Sequence, residues 1–263
     1  MHGGGSIHLK DISIHLGGNL ICSGIDLDIA RGEFVCLLGP SGCGKSTLLN
    51  VIAGFVKAEG TVEVDGQPVT GPGLDRGVVF QSTEALFPWL TVQENVEYGD
   101  RVRGVPPAKR AEKARRYLQL VGLLHAAGKF PPALSGGMKQ RVQIARVLAN
   151  EPSVILMDEP FGALDAQTRQ VLQRELLRIW KATGATIVFV THDIEESLLL
   201  SNRVVTMTVG PAARIKDIAT VDLPFPRDPA DPSTSTIHRR LRDGIAEEVD
   251  KTLREQGLSE AAL

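Results

Sequence analysis

At 263 residues, 43% of them hydrophobic and 23% charged, the chain has a globular make-up, with room for one large α/β domain carrying an inserted subdomain or for two modest domains. A formal net charge of −2 speaks against a nucleic-acid carrier, and no run approaches the roughly 18 apolar residues needed to span a bilayer. Three cysteines without paired spacing (Cys22, Cys36, Cys43) imply a reducing compartment and no zinc site. The N-terminal MHGGGSIHLKD lacks the apolar centre of a secretory signal, so the chain is expected to stay in the cytosol and to meet a membrane only through a partner.

The first elements read as β structure. Ile7 to Leu16 and Gly24 to Ile29 alternate apolar and polar residues until Gly32 breaks the pattern. Phe34 to Leu38, FVCLL, is a short apolar run suited to a strand buried on both faces. A glycine loop follows from Gly39, and a helical pattern, LLNVIAG, starts just after Thr47. Gly77 to Gln81, GVVFQ, is again strand-like. From Pro106 the texture turns helical: Pro107 suits a first turn, and Ala114, Tyr117, Leu118 and Val121 share one face before Gly122. The helical stretch, roughly 88 to 147, reads as an insertion between two parts of a parallel sheet. Val154 to Met157 and Thr186 to Val190 are further buried strands, with a helix including Val171 to Trp180 between them. Pro224 to Thr236 reads as a linker or surface crossing, followed by a charged amphipathic helix over about 237 to 256.

The chemistry sits at the ends of these elements. Gly39-Pro40-Ser41-Gly42-Cys43-Gly44-Lys45-Ser46-Thr47 is a P-loop in its proper strand–loop–helix context. Its glycines let backbone N–H groups face phosphates and the helix start favours an anion. Lys45 adds a point charge, and the Ser46 hydroxyl can ligate Mg2+. The run Val154 to Met157 delivers Asp158 and Glu159 at the carboxyl end of a buried strand. Asp158 suits Mg2+, directly or through water, and Glu159 suits the general base that polarises water; a helix N-terminus is the plainer reading of such a pair. His192 follows the last core strand, where it can reach a γ-phosphate, and Gln81 is placed to touch Mg2+ or water. Ser135, Gly136 and Gly137 begin a helix running through Val142 to Leu148, which is plain N-capping or a second anion site.

Taken together these residues resemble the nucleotide-binding subunit of ABC transporters, from Ile7 to about Arg227. The resemblance implies an α/β fold: a P-loop NTPase core of mostly parallel sheet with helices, an antiparallel β subdomain and an inserted helical subdomain. It makes 1–263 a single ATP-binding domain with its core at about 7–227, the helical subdomain at about 88–147, and a linker and helix at 228–263. It further implies that Leu134-Ser135-Gly136-Gly137 is the signature acting across a dimer, that Asp165 is the D-loop residue, and that His192 is the switch histidine. ATP and Mg2+ are the implied cofactors.

Finer features, Gly71-Pro72-Gly73 and Phe87-Pro88-Trp89-Leu90, are similar to the nitrate/sulfonate/taurine importer branch, where the latter stretch meets a membrane subunit. An exposed apolar patch there would mark a partner site, and core packing is the alternative. The implied assembly is a homodimer or heterodimer of ATPase subunits on transmembrane permease subunits, with a periplasmic or extracellular solute-binding protein beyond and no nucleic acid. It would sit on the cytoplasmic face of the bacterial plasma membrane. Where the family stacks an aromatic on adenine, this chain has His15 and Leu16. The rival functions are a soluble ABC ATPase that transports nothing and the ATPase of an exporter or lipid transporter; the former usually brings a second P-loop or long heptad coils, absent here.

Overall fold

The structure, a computed structural model, describes residues 3–82, 85–162, 164–228 and 231–255. In chain order the elements are β1 (Ile7–Leu16), β2 (Asn19–Ile29), β3 (Phe34–Leu38), α1 (Lys45–Ala53), β4 (Glu59–Val64), β5 (Gln67–Pro68), β6 (Arg76–Val79), α2 (Val92–Val102), α3 (Pro107–Leu120), α4 (Gly136–Leu148), β7 (Val154–Asp158), α5 (Ala166–Thr183), β8 (Thr186–Thr191), α6 (Ile194–Leu200), β9 (Arg203–Met207), β10 (Ile215–Thr220) and α7 (Ser235–Glu255). They divide into two compact units: a mid-chain unit built from Leu74–Ala185, and a split unit built from Gly5–Gly73 together with the chain from Thr186 onward.

The split unit holds an antiparallel sheet in the order β2-β1-β4-β5. The turn between β1 and β2 is Gly17-Gly18, with φ 57 and 82, the backbone of a tight two-residue hairpin that pairs Leu16 with Asn19 at once. The second strand therefore starts at Asn19, five residues before the expected Gly24. Register shifts between Ile12, Ile14 and His15 interrupt the alternation that would have shown it.

The same unit holds parallel strands. β3 pairs β8 on one side and β9 on the other, and β10 adds antiparallel to β9. All five residues of FVCLL are fully buried, as a strand covered on both faces requires. Each such side chain contributes about 1.5–3 kcal/mol of transfer free energy. The rings of Phe34 and Phe189 meet at 5.9 Å across this pair.

The tail of the split unit is pinned rather than loose. The Arg227 guanidinium donates to the carbonyls of Leu198, Ser201, Val221 and Leu223 and stacks 3.9 Å over Phe225. Burial pulls it down to about 10. Helix α7 then docks through Glu248, which is fully buried and accepts from the Val209 N–H at 3.0 Å, Lys216 Nζ at 2.9 Å and Lys251 Nζ at 2.7 Å. Burial alone would push this carboxyl up, but the two ammonium groups and the amide bring it down to about 2. Its contribution is full above the ordinary glutamate value and is lost as pH falls through about 2. Amide exchange in α7 should accordingly lose protection between pH 4 and 2, roughly, before the β3 amides do; equal protection of α7 at both pH values would remove Glu248 as its anchor.

The mid-chain unit pairs β6 with β7 in parallel, Val79 opposite Met157. Around them stand α2, α3, α4 and α5. Thr91 starts α2 with a capping box, its hydroxyl accepting from Glu94 N while Glu94 reaches back to the Thr91 N–H at 2.7 Å. Two expected limits shift: β6 ends at Val79, so Gln81 lies two residues beyond the strand, and α1 begins at Lys45 rather than after Thr47.

Candidate functional site

In the split unit, β3 and β8 are parallel neighbours with Leu38 opposite Thr191. The P-loop and His192 therefore leave the same carboxyl edge of the sheet, where parallel α/β sheets bind ligands. Gly42 and Gly44 sit at φ 84 and 87, and Gly44 starts α1 with no side-chain cap and no acidic residue in the first turn. The Lys45 ammonium, buried, donates to the carbonyls of Gly39 at 2.8 Å and Pro40 at 2.7 Å, and lies 3.6 Å from Cys43 Sγ. The cation is thus held against the carbonyls of its own glycine loop. Pro40 is half-buried, Ser41 exposed, and Ser46 and Thr47 half-buried on the first turn of α1.

His192 is exposed at the tip of β8. Its turn is fixed by its neighbours: the Asp193 N–H donates to Thr191 Oγ1 at 3.1 Å, and Asp193 caps α6 by accepting from Glu196 N. On the antiparallel sheet His15 and Leu16 are both exposed, with His15 Nδ1 3.7 Å from Glu59 Oε1.

In the mid-chain unit the parallel pair β6–β7 places a second constellation. Asp158 ends β7 and Glu159 follows it with φ 40, a left-handed backbone that non-glycine residues rarely adopt. Gln81 Nε2 lies 3.5 Å from Glu159 Oε2, so the amide and the carboxylate face each other beyond the same sheet edge. These two residues are 78 positions apart, and no local pattern announces their contact.

Ser135 caps α4, its hydroxyl accepting from Met138 N at 3.3 Å, and Gly136 is the first helical residue. Leu134 and Gly137 are buried, Gly137 against α5: a Cβ there would lie 2.6 Å from Thr168 Cγ2. The close approach this glycine permits is thus to a neighbouring helix. Asp165 caps α5 through the Thr168 N–H at 2.9 Å, and the bonds to Thr168 hold its carboxyl below the usual range.

The Phe87–Leu90 stretch is only partly a surface. Trp89 is 70% exposed and Pro88 exposed, while Phe87 and Leu90 are half-buried. The Phe87 ring packs on Trp89 at 5.6 Å and on Tyr98 at 4.4 Å. Two residues that sequence reading passed over hold it. Asn95, fully buried, donates to the carbonyls of Phe87, Leu90 and Thr91 and accepts from the Phe87 N–H. Arg146, on α4, donates to the Ala85 carbonyl at 2.8 Å and lies 5.4 Å over the Phe87 ring.

The family described as ABC transporter matches residues 22–162, more than half of the chain.

The chain belongs to the ABC transporter ATP-binding family.

It is accordingly an ATPase with an α/β P-loop fold, as the motifs implied. The chain is 51% identical over 87% of its length to the bicarbonate transport ATP-binding protein CmpC of Synechococcus elongatus, of which it spans 35%. It is 46% identical over 91% of its length to the taurine import ATP-binding protein TauB of Mesorhizobium japonicum, covering 96% of that protein. Among solved structures, the dimeric post-hydrolysis state of the ATP-binding cassette MJ0796 bound to ADP and Pi superposes with a TM-score of 0.71 at 31% identity, over 82% of this ABC ATPase and 99% of that chain. Among the described residues no helix of this ABC ATPase is long and apolar enough to cross a membrane.

Proposed function

We propose that this ABC ATPase energises the import of a small anionic solute, of the nitrate, sulfonate, taurine or bicarbonate kind. It works as a dimer on the cytoplasmic face of the plasma membrane, through separate permease subunits fed by a solute-binding protein. The observation that carries the importer reading is the end-to-end likeness to TauB, at both near-complete coverage and 46% identity. The likeness to a dimeric cassette supports the two-subunit arrangement.

In this reading the loop Gly39 to Thr47 binds the ATP phosphates, with Lys45 exchanging its loop carbonyls for phosphate oxygens. Glu159 takes the proton of the attacking water, and Gln81, beside it, orients that water. His192 steadies the γ-phosphate from the edge it shares with the P-loop. Ser135, Gly136 and Gly137 act on the nucleotide of the partner subunit, and Asp165 orders the start of α5 for that interface.

Among the described residues no cluster of three or more His, Cys, Asp or Glu forms a metal cage. In the same reading the Ser46 hydroxyl, the Gln81 amide oxygen and the Asp158 carboxylate are the hard-oxygen donors that would suit Mg2+ arriving with its phosphates. When bound, it would neutralise phosphate charge.

The test is to purify the subunit with its permease, reconstitute the complex with the binding protein in vesicles, and measure ATP hydrolysis against taurine, an alkanesulfonate, nitrate and bicarbonate. One of these anions should raise the rate several-fold while the others do not. A complex that hydrolyses ATP but ignores all four, and responds instead to a lipid, would reassign it to the exporter or lipid-transport class.

A further inference from the structure

The surface around Trp89 and the helix that starts at Ser135 are joined by side chains of that helix. Helix α4 runs from Gly136 to Leu148 with Ser135 as its cap. From its later turns Gln143 Nε2 donates to the Ser82 carbonyl at 2.8 Å, and Arg146 Nη1 donates to the Ala85 carbonyl at 2.8 Å. Arg146 also covers the Phe87 ring, which in turn contacts Trp89 and Tyr98. On the far side Asn95 staples residues 87 to 91 to α2 with four hydrogen bonds. The turn that presents Trp89 is therefore rigid within itself and bonded to α4.

Gln140 stands one turn before Gln143 on the same face of α4, fully buried, and among the described residues neither atom of its amide has a hydrogen-bond partner; Gln143 Oε1 has none either. On the far face Arg141 donates to the Val121 carbonyl at 3.3 Å. The polar grip of α4 on the turn therefore comes from the Gln143 and Arg146 donors.

We infer that Arg146, with Gln143, is a positioning residue that makes α4 and the Phe87–Leu90 surface move together, so that nucleotide engaging Ser135 is felt at Trp89 and a partner seated on Trp89 is felt at Ser135. The second half follows from the first, because coupling between two sites is reciprocal. The inference rests on the proposed ATP site at Ser135. It adds which side chains link that site to the partner surface.

The chain supplies its own reporter. It has two tryptophans, Trp89 and Trp180, so Trp180→Phe leaves Trp89 as the only one. In that background, with Glu159→Gln to stop turnover, Trp89 fluorescence is followed as ATP and Mg2+ are added, and binding is measured separately with a fluorescent ATP analogue. Native Arg146 should give a saturable change in Trp89 emission at the concentration where the analogue binds.

Arg146→Lys keeps the charge but loses the planar fork that spans carbonyl and ring. It should bind ATP within about threefold of the parent, yet lose at least about fivefold of the Trp89 response. Gln143→Ala, which removes the other tie, should weaken the response in the same direction and serves if Arg146→Lys does not fold. A full Trp89 response in both variants would overturn the inference, as would a parent that binds ATP while Trp89 stays silent. A parent that binds no ATP would overturn the proposed function itself, and this inference with it.

Discussion

Glu159→Gln should reduce ATP turnover by about 100- to 10,000-fold, the span associated with a general base, while leaving ATP affinity within about threefold. The substitution is nearly isosteric. The amide oxygen of Gln can still accept from Gln81 Nε2, so the 3.5 Å contact survives and the change isolates basicity from geometry. With hydrolysis stopped, ATP should hold two subunits together, and gel filtration should show a species of twice the 28.3 kDa monomer mass with ATP and not with ADP. Turnover within tenfold of the native rate would remove Glu159 as the base. A variant that fails to bind ATP would point instead to a structural role for the carboxylate.

The second large effect is on stability, at Gly54→Ala. Gly54 ends α1 with φ 81, and a Cβ there would lie 2.2 Å from the Gly71 carbonyl oxygen and 2.8 Å from Pro72 N. Both obstacles are backbone, so nothing can rotate away. The left-handed backbone alone costs an alanine about 1–2 kcal/mol, and forcing apart two chain segments adds about 1–3 kcal/mol. At about 2–4 °C per kcal/mol for a chain of this size, the melting temperature should drop by roughly 4–20 °C.

Gly184→Ala is the control. Gly184 ends α5 in the same way, with φ 66, but nothing lies within 4 Å of the added Cβ. It should lose only the backbone part, about 1–2 kcal/mol. Equal losses at the two positions would show that Gly71 and Pro72 yield, and that the crowding at Gly54 has no energetic weight.

What could be read in advance divides along a physical line. Local chemistry was legible. FVCLL announced a strand buried on both faces because five consecutive apolar residues have no other use at that length, and Ser135 announced a helix start because its hydroxyl can satisfy the amide three residues on. The P-loop was legible for the same reason, its strand, glycines and helix being contiguous. The long-range partners were not. Nothing in the neighbourhood of Asn95 says that a mid-helix amide will be swallowed whole to hold a turn four to eight residues away. Nor does anything near Glu248 mark a carboxylate that ends fully buried between two lysines. Gly71-Pro72-Gly73 resembles a family feature, but its task of leaving room for Gly54 appears only when the two segments are brought together. The early end of β6 is a similar case: GVVFQ has strand composition throughout, yet pairing stops at Val79, opposite Met157.

The backbone of Glu159 carries one more implication. A residue with a side chain sits there at φ 40, a conformation that costs such residues about 1–3 kcal/mol and costs glycine almost nothing. With Glu159 as the base proposed above, folding and chemistry pull position 159 in opposite directions. Laboratory evolution that rewarded heat resistance alone would drift toward Glu159→Gly, and the toughest clones it returned would be the ones that no longer turn over ATP.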